Sequence, residues 1–202
     1  MKKLAIFTLS AIAQGLWAYG TGISTYPLQV DDKFISAEFT GVTSTGGGLG
    51  MQARYTQKIT EKAIVDAGLG IAGGERSGRL FASYDHEIFP DYESQPRFSL
   101  KAAVENSKEF ATRRNILSLT PIVSKAFSMW EHETFPYIAL PYGISLDGSS
   151  QSYETTFAMH LGMTANLPKE WSHKQLTANA EVIMGIKSSF SGLFVGLSYP
   201  IE

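Results

Sequence analysis

Acid–base catalysis by a histidine–carboxylate pair needs both groups facing one another, and the chain has four histidines to offer. Asp85, His86 and Glu87 adjoin in sequence. Neighbours in an extended strand point to opposite faces, so His86 is turned away from both acids. His160 is better placed, with Glu154 and Thr156 at its own parity and Glu181 available from the next segment. A Ser–His–Glu lipid hydrolase would use such parts, yet no serine is singled out as the nucleophile. The plainer role for His160 is a satisfied interior polar residue. His132 and His173 fall in expected turns. The histidines occupy separate elements without ligand spacing, so no metal site is expected. Gly46-Gly47-Gly48 opens no helix and reads as a hairpin turn, not a phosphate loop. Cysteine is absent, which removes disulfide scaffolds, thiolate zinc sites and cysteine nucleophiles together. Neither a cofactor nor an enzymatic activity is expected.

The acids and bases between residues 38 and 105 are better organised. If the chain there folds as successive hairpins, turns near Gly46, Thr60, residues 74–78 and residues 91–93 align Glu38, Arg54, Asp66, Asp85 and Lys101. That makes one row across five strands, all on one face. Cross-strand β-carbons sit about 4.5–5.5 Å apart, close enough for ion pairing. Mixed signs are what a buried polar interior requires, since a lone charge there is expensive. Asp66 beside Asp85 is the exception and depends on Arg54 and Lys101 for compensation. Glu105, His160 and Glu181 join the same interior set. The row is either a salt-bridged plug or a constriction for small solutes and cations.

These groups must be held by strands. After residue 30 apolar and polar residues alternate with period two: Leu49, Met51, Ala53 and Tyr55 against Gln52 and Arg54, and Phe98, Leu100, Ala102 and Val104 against Lys101 and Glu105. The pattern gives about ten strands, near 33–43, 48–58, 63–73, 78–89, 96–106, 115–127, 134–146, 152–166, 175–187 and 190–201, with eight or twelve as alternatives. Each is long enough to cross a bilayer at the usual tilt, which takes about 9–11 residues. The fold class expected is all-β, an antiparallel up-and-down barrel. Pro121, Pro136 and Pro141 fall inside the sixth and seventh strands, where each removes a ladder hydrogen bond, so bulges or a weak seam are expected there.

The net charge of −2 and the lack of a long basic run give no reason to expect nucleic acid. Charged residues make up 18% of the chain, below the roughly 25% usual in soluble domains. Lys2 and Lys3 before the apolar run Leu4 to Ala13 read as a signal segment. Cleavage is expected near residues 18–20, giving a leader of residues 1–20 and one barrel domain over 21–202. No other run approaches the roughly 18 apolar residues of a membrane helix, so any insertion must use strands.

Which face meets lipid is a separate question, because a soluble lipocalin-like barrel has the same period with an apolar interior. The apolar face is nearly free of charge, while the polar face mixes charges with Gly, Ser and Thr. Phe89, Tyr92, Phe127, Trp130 and Trp171 gather in turns at one end, as interfacial aromatics do. The last strand, Gly196-Leu197-Ser198-Tyr199-Pro200-Ile201, resembles the Gly-x-x-apolar-x-apolar assembly signature of Gram-negative outer-membrane barrels. It departs from that pattern at Phe194, where a polar residue is common, and in ending on Glu202. The resemblance implies an outer-membrane location, lipid as a partner and recognition of Gly196, Tyr199 and Ile201 by the barrel-insertion machinery. At the outer mouth, Lys108, Arg113 and Arg114 are either solvated or meet lipid phosphates.

Overall fold

The computed structural model describes residues 22–44, 47–73, 76–109, 112–129, 132–148, 150–168 and 176–201. The expected leader, Gly46, Trp130, Trp171 and His173 lie outside these. The alternating pattern folds into strands alone, with no helix among the described residues. They are β1 (Lys33–Val42), β2 (Gly48–Thr60), β3 (Ala63–Ala72), β4 (Arg76–Phe89), β5 (Arg97–Glu109) and β6 (Thr112–Ser124). β7 (Phe127–Met129), β8 (His132–Ala139), β9 (Tyr142–Asp147), β10 (Ser152–Asn166), β11 (Thr177–Lys187) and β12 (Gly192–Ile201) follow. β12 returns antiparallel to β1, Lys33 facing Ile201 and Val42 facing Gly192, which closes the barrel. The wall has 10 strands, because β8 and β9 are halves of one and β7 is a short spur on β8.

The prolines act differently from one another. Pro121 stays in the ladder opposite Leu100 with no shift of register, so no bulge forms where the sixth strand was expected to have one. Pro141 interrupts the seventh strand and separates β8 from β9. The wall remains stitched across the break, because carbonyls accept where the prolines cannot donate: Leu140 N–H donates to Pro121 O at 3.1 Å and Ala158 N–H to Pro141 O at 3.1 Å. β6 then pairs with β8 at Ile122–Ser124 and with β9 at Arg114–Leu119, leaving no open seam.

Along the wall strands side chains alternate between the two faces. Ser36, Glu38 and Thr40 of β1 are buried inside, while Ile35 and Phe39 are exposed outside. The same holds around the wall, where Leu69, Leu80, Val104, Leu117, Leu193 and Leu197 are all more than half exposed on the outer face. No Asp or Glu with a described side chain occupies an outward position of any strand. His86 does face outward, stacked on Tyr84 with centroids 6.1 Å apart. Phe89, Tyr92 and Phe127 are exposed at the end of the barrel that also carries Lys33 and Ile201. Tyr199 and Ile201 face outward there, whereas Gly196 faces inward opposite Glu38.

Candidate functional site: the filled barrel interior

The five residues of the expected row all reach the interior, though not in the expected register. Glu38 faces Gln52, and Arg54 faces Ser36 and Gly68. Asp66 faces Thr56 and Ser83, while Asp85 faces Lys101 as expected. The two-residue offsets arise at turns: Val42 already pairs with Gly48, and an irregularity between Lys58 and Thr60 shifts the second hairpin. Long side chains then bridge diagonals that short ones would not span. Arg54 Nε donates to Glu38 Oε1 at 2.7 Å, and its Nη1 lies 3.6 Å from Asp66 Oδ1. Lys101 Nζ passes over its facing residue to Asp66 Oδ2 at 2.7 Å. Thr56 and Ser83 hydroxyls complete Asp66 at 2.6 and 3.0 Å. Glu38 and Arg54 side chains are each 1% exposed, so this is a dry ion network.

Asp66 and Asp85 are therefore not facing neighbours, and each has its own cation. Asp85 takes Arg97 Nη2 at 3.4 Å, and Arg97 Nε also reaches Glu87 at 2.9 Å. Arg97, Gln52 and Arg79 were missed by the sequence reading. Gln52 is the hinge of the set: its amide N–H donates to Glu38, and its Oε1 accepts from Arg79 Nη1 at 2.9 Å. Arg79 in turn reaches Glu105 at 2.7 Å and lies 4.5 Å over the Phe81 ring. One polar network thus runs from Glu105 to Lys101 through five strands.

A second cluster lies across the barrel. His160 Nδ1 lies 2.9 Å from Glu181 Oε1, and Tyr137 O–H donates to Glu181 Oε2 at 2.6 Å. All three residues are buried. Gly162 sits opposite Tyr137 in the ladder, and a β-carbon there would overlap the phenol ring. Glycine is what lets Tyr137 lie flat across the interior toward Glu181. Replacing Tyr137 with Phe leaves the buried carboxylate one donor short. The expected cost is about 1–3 kcal/mol, read as a lower unfolding midpoint in denaturant; an unchanged midpoint would mean the contact is idle.

The most consequential interior element is one the sequence did not announce. Residues 22–28 run into the barrel, with Ile23, Thr25 and Leu28 buried, while Gln29 and Val30 are exposed at its mouth. Ile23 packs with Ile122, Tyr137 and Ala139. Thr25 Oγ1 donates to Phe135 O at 2.9 Å, and Asn179 donates to Ile23 O. Lys58 Nζ donates to Leu28 O at 2.7 Å. Gly22, the first described residue, has φ of 56°, accepts Arg54 Nη1 on its carbonyl at 2.8 Å, and lies against Glu38 and Phe194. Phe194, a departure from polar usage at an inward position, is 1% exposed beneath this segment. Beyond Ile23 a small cavity continues between Phe81, Ser83, Lys101 and Thr120.

No known family model matches the chain, and no curated protein sequence matches it.

Proposed function

We propose that this chain is a small outer-membrane β-barrel, exported with a cleaved leader, that spans the bilayer as a sealed scaffold and is not an enzyme. The observation that carries the reading is the polarity of the two faces. Ile35, Phe39, Leu69, Leu80, Val104 and Leu117 stand half or more exposed on the outside, while Glu38, Arg54, Asp66 and Glu181 are buried inside. In water that arrangement leaves a contiguous apolar surface far larger than monomeric proteins tolerate. In a bilayer it is the expected one, because a closed ladder pairs the wall strands with one another and the apolar belt meets hydrocarbon. A soluble barrel for an apolar ligand needs the reverse, and such a ligand would meet Arg54 and Glu38 here.

The sealed character follows from the interior. The ion network, Phe194 and residues 22–28 fill the column that a pore would need. His160, Glu181 and Tyr137 serve that packing in this reading. Surrounding lipid and the barrel-insertion machinery, through Gly196, Tyr199 and Ile201, are the partners assigned.

Leu69→Arg tests the reading. Leu69 faces outward midway up β3, level with Ala53 and Leu80. At a bilayer midplane an arginine is expected to destabilise the barrel by about 2–4 kcal/mol, measured by denaturant unfolding from phosphatidylcholine vesicles. On a water-facing wall the same change would fall within about 0.5 kcal/mol, and that result would remove the proposal.

A further inference from the structure

The outer wall of the β5–β6 hairpin changes character in three successive facing pairs. Val104 faces Leu117, then Asn106 faces Asn115, then Lys108 faces Arg113. All six point outward. Asn106 Nδ2 donates to Asn115 Oδ1 at 2.6 Å, and Arg113 Nη1 donates to Asn106 Oδ1 at 2.7 Å. The last pair is anomalous. Two cations face each other directly, which is unfavourable, and no described carboxylate shares their face of the wall.

The surroundings leave room for a counter-ion. Gly78 of β4 precedes Arg79, which faces Ser107, and nothing among the described residues stands where a side chain at Gly78 would be; Gly148 follows Asp147, which faces Arg114, and lies against Arg113. One step lower the neighbours are Leu80 and Leu146, both exposed and apolar. Two residues advance about 6.8 Å along a strand, or about 5 Å in height at a tilt near 40°. The cations therefore stand about 10 Å above the Val104–Leu117 pair and about 5 Å above Leu80 and Leu146. The polar layer of a bilayer leaflet is about 5–8 Å deep outside the hydrocarbon.

We infer that Lys108 and Arg113 form a clamp for the phosphate of an anionic lipid in the leaflet around the outer mouth, with Asn106 and Asn115 beneath it at the level of the ester groups. The inference rests on the membrane reading above. Phosphate oxygens accept from both cations and remove their repulsion, with Arg113 offering a planar fork and Lys108 a point charge. The lipid's chains lie along Leu80, Val104, Leu117 and Leu146.

Native mass spectrometry of the purified protein in non-ionic detergent tests this, using phosphatidic acid and phosphatidylcholine as probes. One phosphatidic acid is expected to bind about tenfold or more tightly than phosphatidylcholine, given the usual gain from two basic residues at an anionic surface. Lys108→Gln with Arg113→Gln abolishes that preference, while Lys33→Gln at the opposite end preserves it. Inorganic phosphate at the lipid's concentration does not compete. A preference that survives the double variant, or competition by inorganic phosphate alone, would overturn the clamp. Failure of the underlying reading looks different: a protein carrying no detergent belt at all sinks both, whereas a belted barrel without lipid preference sinks only the clamp.

Discussion

Deleting residues 22–30 is expected to turn an electrically silent barrel into a conducting one. The wall does not depend on this segment, since every strand pairs with another strand around the ring. The segment instead occupies the axis, held by Ile23 in its apolar cluster and by donors from Asn179, Arg54 and Lys58. Removing it vacates a column as wide as one extended chain, about 4.8 Å by the spacing of neighbouring strands. Glu38, Arg54, Asn179 and Thr164 line that column, and a polar cavity of this kind fills with water. The small cavity past Ile23 extends it toward the outer mouth. In planar bilayers the full chain should give no steps and the deletion regular ones. A deleted barrel that inserts and stays silent would mean that the ion network alone seals the interior.

The second large effect concerns that network. Arg54 bridges Glu38 and Asp66 and also caps the Gly22 carbonyl. Replacing it with Met leaves the buried Glu38 with Gln52 as its remaining donor among the described residues. Breaking one partner of a buried pair costs about 3–5 kcal/mol. Asp66 suffers less, because Lys101, Thr56 and Ser83 remain. Adding Glu38→Gln should therefore recover much of the loss, with a coupling of about 1–3 kcal/mol between the two sites. Urea unfolding of the four members of the cycle measures it. Additive changes would show that Glu38 does not depend on Arg54.

Strand number and facing were legible in the sequence because period-two alternation is written into nearly every segment, and a single slip would turn all those residues to the wrong face. The inward facing of Glu38, Arg54, Asp66, Asp85 and Lys101 was legible for the same reason. Its register was not. Side-chain parity repeats every two residues, so an offset of two leaves the pattern intact while moving Glu38 from Arg54 to Gln52. Only the turn geometry and the irregularity near Ile59 decide it, and neither has a strong residue signature. The break at Pro141 was marked by its proline, but Pro121 carries the same mark and causes no break, because its carbonyl, and so the side on which its N–H is missing, faces Leu140 at the β8–β9 junction and not its β5 partner Leu100. The inner segment is too short to display a period of its own. Its signal lies on the wall instead: Phe81, Ile122, Ile183 and Phe194 are apolar at inward positions and buried there. Apolar residues on the polar face of a barrel ask for an apolar partner inside, and Ile23 supplies part of it.

The central claim is that the apolar outer face meets lipid, and its most direct test is flotation of the purified, refolded full-length chain after detergent removal. With phosphatidylcholine vesicles present, the protein should float with the lipid, resist extraction by alkaline carbonate, and aggregate when vesicles are omitted. A monodisperse, folded monomer that stays at the bottom of the gradient with no bound amphiphile would contradict the account.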